Sequence, residues 1–420
     1  MPDSTTRMGI KPVDDPTERN PAILDASILI VDDMAIMRKM IAITLKNAGY
    51  HNLTEAEDGD EALDKINASP PDIVILDINM PRMDGYAVCR ALREDPRTAA
   101  LPVLVQSSAE TDVERVQVFH AGATDFVSKP INQPEMLARV AMHLENRFLI
   151  RDLSAYRQRL AAELDLAREM QQSLLPDADT LTNINEATGV TVTATYRASS
   201  ELGGDLWGAW PLPDGRFGVY VLDVTGHGVA SALSTFRVHS LTRRFKDLQT
   251  DPQAFIEALN AELVENFPTG QFATMFYGVF DTASRVLQYV GAGAPPPMLI
   301  EGQTISELDT AGFPLGISKR ADYPLKTLTV PDDSALLLYS DVIIETLDEQ
   351  DKMIGLDGLK RKIDTISSRG KGLSKGTYHD GLLADFDANL GGEALDDDLT
   401  LVELTFASLG GSNSKTEQGK

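Results

Sequence analysis

Short apolar runs alternate with segments of helical spacing in the first third of the chain. The apolar runs lie at residues 28–31, 73–76, 103–105 and 126–127. Between them, residues 34–48 and 61–67 repeat apolar positions at the spacing of a helix. This alternation predicts an α/β domain with a doubly wound parallel sheet. Residues 1–25 are polar and contain prolines, so we expect a disordered leader there.

A different pattern begins at residue 149, where apolar positions follow an alternating four-three spacing that only Glu163 breaks. The positions are Leu149, Leu153, Tyr156, Leu160, Ala167, Met170 and Leu174. Such spacing suits a coiled-coil seam, and we expect a homodimer through this helix. A single amphipathic helix packed on its own domain is the alternative. Pro176 ends the helix, so both readings give a stiff connector over residues 149–176.

Strand-like runs outnumber helical ones in the second half of the chain. We predict strands at residues 190–196, 217–223, 274–281, 286–290, 297–300, 335–339 and 399–404. We predict helices at residues 230–245, 252–267 and 356–367. Residues 177–406 therefore read as a mostly antiparallel pair of sheets with flanking helices. Residues 407–420 are polar and rich in Gly and Ser, which predicts a disordered tail.

Composition narrows the class of protein. The chain has 420 residues, of which 43% are hydrophobic, and this is enough for two or three domains with full cores. Its 63 acidic and 38 basic residues give a formal charge of −25, which opposes direct binding to nucleic acid and favours a basic or neutral protein partner. No apolar stretch is long enough to span a bilayer and the first residues do not resemble a signal peptide, so we expect a cytoplasmic protein without an integral membrane segment.

The single cysteine, Cys89, lies in a run that reads as an amphipathic helix. We expect it to be a buried small hydrophobe and not a redox centre. One cysteine also excludes a disulfide within the chain.

Acidic residues follow the apolar runs of the first domain. In a parallel sheet, Asp32, Asp33 and Asp77 would meet at the carboxyl ends of the strands, where ligands bind. Three carboxylates at one edge repel one another and call for a cation, here Mg²⁺. Asp77 can then attack a phosphoryl donor, and the ammonium of Lys129 neutralises the phosphoryl oxygens.

These motifs resemble response-regulator receiver domains over residues 26–148. The matching segments are Val-Asp32-Asp33, Leu-Asp77-Ile-Asn79-Met-Pro81-Arg-Met-Asp-Gly85 and Phe126-Val-Ser-Lys129-Pro130. The resemblance implies a flavodoxin-like fold and phosphorylation of Asp77 by a sensor histidine kinase or phosphotransfer protein. It implies that Asp33, Asp77 and the Asn79 carbonyl bind Mg²⁺ and that Asp32 completes the pocket. It also places Ser107 at the hydroxyl switch position, with Ser108 as the alternative, and Phe126 at the aromatic one.

Four acidic motifs follow apolar runs in the second domain. They are Glu-Leu-Gly-Gly-Asp205, Leu-Asp223-Val-Thr-Gly-His-Gly, Tyr-Ser-Asp341 and Asp397-Asp-Leu-Thr400. Four carboxylates suggest a cage for two Mg²⁺ or Mn²⁺ ions, which held about 4 Å apart activate a water for attack on phosphorus. The alternative is that Asp and Gly stand at strand ends only because turns favour them.

Together the four motifs resemble the PPM-type serine/threonine phosphatases over about residues 160–406, in particular the bacterial branch that regulates sigma factors. The segment from Ala167 through Gln171 to Pro176 is similar to one that precedes the catalytic domain in that branch. The resemblance implies an α/β/β/α sandwich and a bridging water as nucleophile. It implies two Mn²⁺ or Mg²⁺ ions held by Asp205, Asp223, the Val224 carbonyl, Asp341 and Asp397. The expected substrate is a phosphoserine or phosphothreonine on a small regulatory protein, of the anti-sigma antagonist class.

Three positions depart from the family pattern. Gly208 stands where many relatives have a second Asp, Ala294 ends a turn that usually reads Ala-Gly-His, and Val342 follows Asp341 where Gly is expected. These departures motivate an alternative function, a non-catalytic adaptor that sequesters a regulatory protein under receiver control.

Two assignments in the second domain stay open: which residue of an acidic run is the ligand, and which role a histidine has. The run Asp396-Asp397-Asp398 is ambiguous by one residue, and we choose Asp397 because Asp-Asp-x-Thr then ends on Thr400. His227 is either a turn or capping residue or a general acid, and no Cys or repeated His accompanies it as a zinc ligand would require.

Overall fold

The computed structural model describes residues 21–107, 112–226, 228–347, 352–369, 376–392 and 394–407. The chain forms two compact units that divide between Leu160 and Ala161. Four of the predictions above concern residues outside the described ranges: the first part of the leader, Ser108, His227 and nearly all of the tail.

The first unit is a five-stranded parallel sheet with helices on both faces. Its elements are α1 (Pro21–Leu24), β1 (Ile28–Val31), α2 (Ala35–Asn47), β2 (Leu53–Ala56), α3 (Gly59–Ala68), β3 (Ile73–Asp77), α4 (Gly85–Glu94), β4 (Val103–Ser107), α5 (Asp112–His120), β5 (Asp125–Ser128) and the start of α6 (Gln133–Gln172). The strand order β2-β1-β3-β4-β5, with every pair parallel, confirms the doubly wound sheet.

The burial pattern explains why the central strands were recognisable. Strands β1, β3 and β4 are buried at every position, and alternate residues of β1 enter the two cores on opposite faces of the sheet. Cys89 lies in α4 and is 1% exposed, as predicted. The edge strand β2 has polar, exposed residues at its two central positions and was not predicted.

The predicted disordered leader, residues 1–25, is wrong for its last residues. Residues Pro21–Leu24 form the short helix α1, and Ile23 is buried in the same core as Ile28. Burial of one apolar side chain fixes this turn of helix against the sheet, which a reading of polar composition does not reveal.

The connector is the second part of one 40-residue helix, α6. Its first turns pack on the sheet through Met136, Val140 and Leu144. Further along, Leu149 and Tyr156 are 67% and 62% exposed, so these seam residues do not pack on their own domain. The helix ends at Gln172, four residues before Pro176.

The second unit contains two five-stranded antiparallel sheets packed face to face. Its strands are β6 (Val190–Arg197), β7 (Asp205–Leu212), β8 (Arg216–Val224), β9 (Ala273–Asp281), β10 (Val286–Ala292), β11 (Met298–Glu301), β12 (Thr304–Glu307), β13 (Lys326–Thr329), β14 (Ser334–Tyr339) and β15 (Leu399–Phe406). Its helices are α7 (Ala178–Thr188), α8 (Val229–Arg244), α9 (Pro252–Asn266), α10 (Val342–Glu345), α11 (Gly355–Arg369) and α12 (Thr377–Leu390). The sheet orders are β13-β10-β9-β8-β7 and β12-β11-β14-β15-β6.

Three cores give this unit its layers. Residues of both sheets, among them Phe217, Phe280 and Phe406, form the core between the sheets. A second core joins the β8–β9 face to α8 and α9, and a third joins the β14–β15 face to α11 and α12. The arrangement confirms the α/β/β/α sandwich, with the acidic motifs at one end of the paired sheets.

Candidate functional site

The first candidate site lies at the carboxyl edge of the parallel sheet. Asp32 and Asp33 follow β1 and Asp77 ends β3, and one oxygen from each lies within 4.8 Å of the others. The ammonium of Lys129, just after β5, lies 2.7 Å from Asp77 Oδ2 and 3.7 Å from Asp32 Oδ2. The structure therefore brings together the nucleophile, the acidic pair and the cation that the sequence predicted.

Electrostatics at this edge favour a bound cation. Asp32 is fully buried, and its Oδ1 accepts the N–H of Met34 whereas its Oδ2 has no hydrogen-bond donor among the described residues. Burial, together with the charges of Asp77 and Asp33, raises the pKa of Asp32. An unsatisfied carboxylate oxygen in an all-oxygen donor set fits Mg²⁺. The Asn79 carbonyl, two residues beyond Asp77, lies on the loop that leaves β3.

The two predicted switch residues flank Lys129. Ser107 ends β4 opposite Ser128, and its carbonyl accepts the Lys129 N–H at 2.8 Å. Phe126, on β5, packs edge-to-face on Phe119 with ring centroids 5.8 Å apart. The guanidinium groups of Arg115 and Arg139 lie 5.6 and 5.8 Å from its ring centroid. Phe126 lies three residues before Lys129 and two before Ser128, the residue paired with Ser107, so both positions are close along β5 to this half-buried ring and the cations over it.

The second candidate site is built where β7 begins and β8 ends. Antiparallel pairing sets Asp205 opposite Asp223. Burial and then the charge of Asp223 hold the pKa of Asp205 well above its usual value. Burial, followed by repulsion from Asp341 and Asp397, raises the pKa of Asp223 to about 7. The four predicted carboxylates therefore interact with one another, and their repulsion is the force that a divalent cation would relieve.

The four predicted carboxylates of the second unit are less tightly clustered than the three of the first unit. Within the described residues, the carboxylates of the second unit do not form a set of three with ligand oxygens within 4.8 Å of one another. The donors are nevertheless carboxylate and carbonyl oxygens, the type that Mg²⁺ and Mn²⁺ bind.

Hydrogen bonding distinguishes Asp397 from Asp398. The Asp398 carboxylate is 2% exposed and accepts N–H groups from Ser199, Gly204 and Asp205. The Asp397 side chain is exposed, accepts the Asp398 N–H alone among the described residues, and acts electrostatically on Asp223. Asp398 is thus committed to holding the loop before β7, and Asp397 is available to bind a metal.

Backbone geometry brings the Val224 carbonyl to the same place. A Cβ atom on Gly204 would lie 2.6 Å from the Val224 oxygen, so only glycine allows the two strands to approach this closely. Gly226 has a φ of +93°, which directs the chain sharply away after β8. The backbone geometry of this site therefore accounts for the glycines of these motifs.

Two of the three departures have a structural account. The Tyr220 ring occupies the space that a side chain at position 208 would need, because a Cβ on Gly208 would lie 2.3 Å from Tyr220 Cε1. Val342 is the first residue of α10 and has a helical backbone, so the freedom of glycine is not needed there. At the third departure, Ala294, the backbone carbonyl accepts a hydrogen bond from the Thr310 hydroxyl at 2.7 Å.

Sequence comparison with protein families assigns both units. Residues 28–141 match the family described as "Response regulator receiver domain", and residues 213–407 match "Stage II sporulation protein E (SpoIIE)". The chain joins a receiver domain to a SpoIIE-family domain. No described helix of this protein is both long and apolar enough to cross a bilayer.

Individual relatives match one domain each. The "Phosphoserine phosphatase RsbP" of Bacillus subtilis is 32% identical over 188 residues, which is 44% of this chain and 45% of RsbP. The "Response regulator PleD" of Caulobacter vibrioides is 37% identical over 139 residues, 33% of this chain and 30% of PleD. The chain thus spans less than half the length of either relative. The SiaA-PP2C domain of Pseudomonas aeruginosa shares the fold, with a TM-score of 0.53 at 18% identity over 60% of this chain and 98% of that domain.

Two residues of the SpoIIE-family domain to which the sequence assigned no role act on the predicted ligands. Glu345 lies one helical turn after Asp341. Burial is the main cause of the raised pKa values of Asp341 and Asp223, and the charge of Glu345 raises both further. The i,i+4 spacing of two acids was a signal available in the sequence. The Thr400 hydroxyl donates to Asp205 Oδ2 at 2.7 Å and so orients that carboxylate.

The third such residue is Gln171, in the last turn of α6. It is 1% exposed, and its Nε2 donates to the Gly203 carbonyl at 2.8 Å and to Thr235 Oγ1 at 3.1 Å. Its Oε1 accepts the Gly203 N–H at 3.2 Å. One side chain of the connector helix therefore holds both polar groups of the residue that lies two positions before Asp205.

Proposed function

We propose that this chain is a response regulator in which phosphorylation of Asp77 controls a metal-dependent protein serine/threonine phosphatase. The observation that carries the proposal is the convergence of Asp205, Asp223, Asp341 and Asp397 at one end of the sandwich, where burial and the neighbouring carboxylates raise the pKa values of Asp205, Asp223 and Asp341. Carboxylates in such an arrangement are stable as anions only beside cations.

Two Mn²⁺ or Mg²⁺ ions would be held by these four carboxylates and the Val224 carbonyl. When bound, such ions lower the pKa of a bridging water and polarise the phosphoryl oxygens. The residues of the chain hold the ligands in place: Thr400 orients Asp205, and Asp398 fixes the loop that precedes it. Each holding group is itself buried, which keeps the ligand geometry rigid.

The relatives support the proposed substrate class. RsbP is named a phosphoserine phosphatase and is 32% identical to this chain over 188 residues. The proposed substrate is a phosphoserine or phosphothreonine on a small regulatory protein of the anti-sigma antagonist class. Removal of about two negative charges from such a residue changes the partners it can bind.

Control by the receiver would pass along α6. This helix is continuous from Gln133 to Gln172, and Gln171 binds the backbone that leads into the metal-binding strand β7. A rigid helix that ends on such a contact is a suitable bistable element for a phosphorylation switch. The exposed seam at Leu149, Leu153 and Tyr156 supports a homodimer through the same helix, with a sensor histidine kinase or phosphotransfer protein as the phosphoryl donor.

The test is hydrolysis of a phosphoserine peptide by the full chain with Mn²⁺, comparing wild type with Asp223→Asn. Turnover that requires Mn²⁺ and is lost in the variant supports the phosphatase. Stoichiometric binding of the phosphoprotein without turnover would instead favour the non-catalytic adaptor. Modification of Asp77 is tested separately: beryllofluoride or acetyl phosphate should change the mass or spectrum of wild type and leave Asp77→Asn unchanged.

A further inference from the structure

A cavity of about 540 Å³ lies in the second unit, away from the four carboxylates of the metal cage. It is enclosed by the turn after α6, by β7 and β8, and by the end of α8. Its wall includes Pro176, Trp210 and Tyr220, and its charged or titratable lining residues are His239, Arg243, Lys246 and Asp177. The volume falls within the range of pockets that hold small molecules.

The cations of this cavity lack acidic partners. Arg243 and Lys246 are exposed and form no ion pair with any described residue, whereas the adjacent Arg244 pairs with Glu262 at 3.2 Å. The Asp177 carboxylate also lines the cavity, but its Oδ1 caps α7 by accepting the Thr180 N–H at 2.8 Å. Two unpaired cations on one cavity are notable in a chain with a formal charge of −25.

A buried polar atom in the same wall also lacks a partner. The Nδ1 atom of His239 is buried and makes no hydrogen bond within the described part of the chain. Burial and then the charge of Arg243 lower the pKa of His239, so its imidazole is neutral near pH 7. The same Arg243 acts electrostatically on Tyr220, so its guanidinium lies near both rings. Buried polar groups normally have partners, so an unpaired one in the wall of a cavity is available to hydrogen-bond a molecule that enters it.

We propose that this cavity binds a small anion that carries a flat ring, such as a nucleoside monophosphate or an aromatic carboxylate. The ring would lie against the aromatic and apolar wall, and the anionic group would pair with Arg243 and Lys246. His239 supplies a further hydrogen bond to the ligand, as donor or acceptor according to its tautomer.

The position of the cavity links a bound ligand to the connector and to the metal cage. Leu174 and Leu175 pack in the core beneath α8 and α9 and belong to the turn that follows α6. Gly208, also in the wall, lies on β7, the strand that begins with Asp205. A ligand in the cavity therefore contacts both the connector turn and the strand that carries a metal-binding residue. Binding itself does not depend on the proposed phosphatase activity and can be tested apart from it.

Isothermal titration calorimetry on the full chain tests the proposal, with chelator present so that metal ions do not bind the probe. The probes are adenosine monophosphate in one arm and 4-hydroxybenzoate in the other, and the arm that binds identifies the source of the anion. We expect saturable binding of at least one probe, at least about tenfold weaker in Arg243→Gln/Lys246→Gln.

The matched control is Arg244→Gln, which removes a neighbouring cation that pairs elsewhere, and it should bind as wild type does. A thermal melt of each variant verifies folding, and since the exchanged side chains are exposed it should not change. The proposal is overturned if neither probe binds saturably, or if the double variant binds as tightly as wild type.

Discussion

Replacement of Gln171 by alanine should uncouple the connector helix from the metal site. The change removes the side chain that donates to the Gly203 carbonyl and accepts the Gly203 N–H. Gly203 is buried, so solvent does not replace the lost partners. The loop of Gly203 and Gly204 then keeps its contacts to the Asp398 carboxylate and to the Val224 N–H but loses those that hold Gly203.

The magnitude follows from the groups left unpaired. A buried N–H or carbonyl without a partner costs about 1–3 kcal/mol, so the two together cost roughly 2–6 kcal/mol. If this free energy appears as displacement of Asp205 in the active state, kcat/KM falls about 30- to 20,000-fold, since each 1.36 kcal/mol is a factor of ten. Any part that appears as global destabilisation would instead lower Tm.

The assay is Mn²⁺-dependent release of phosphate, with a thermal melt of the same sample. The control is Gln172→Ala, which removes an exposed glutamine from the adjacent position of the same helix. Equal rates and equal melting temperatures for the Gln171→Ala and Gln172→Ala variants would refute the inference that Gln171 positions the loop.

Three further predictions concern single residues of the SpoIIE-family domain. Asp397→Asn should lower activity and leave the metal-free Tm unchanged or higher, whereas Asp398→Asn should lower Tm, because the buried Asp398 accepts three backbone N–H groups and the exposed Asp397 accepts that of its neighbour. Gly208→Ala should destabilise by about 1–3 kcal/mol in urea unfolding, because the added methyl meets the Tyr220 ring. The pKa of Asp223 is raised to about 7 from 3.8, so folding favours its protonated form. The metal-free Tm should therefore fall as pH rises from about 4 to about 7, and saturating Mg²⁺ should remove that dependence.

The receiver site was predictable because each of its residues follows a strand that the sequence marks clearly. Strands β1 and β3 are buried on both faces and read as continuous apolar runs, so the acids that follow them were easy to place. Edge strand β2 and the short helix α1 lack such a signal, and neither was predicted. Strand β7 was also missed, because its run Asp-Leu-Trp-Gly-Ala-Trp-Pro-Leu contains a glycine and a proline that interrupt a strand pattern.

The second site was predictable in its motifs and not in its contacts. Asp397 and Asp398 are equivalent in composition, and only the hydrogen bonds from Ser199 and Gly204 separate their roles. Gln171 and Gly203 are 32 residues apart, and their contact arises from tertiary packing that no local pattern records. For the same reason the ring of Tyr220 over Gly208 was visible only in the folded chain.

The most direct test of the account is the rate of Mn²⁺-dependent phosphate release with and without beryllofluoride, in wild type, Asp77→Asn and Asp341→Asn. The account predicts that beryllofluoride changes the rate of wild type and does not change the rate of Asp77→Asn. It predicts no turnover in Asp341→Asn. Equal rates with and without beryllofluoride in a wild-type protein that has bound it would contradict control of the phosphatase by the receiver.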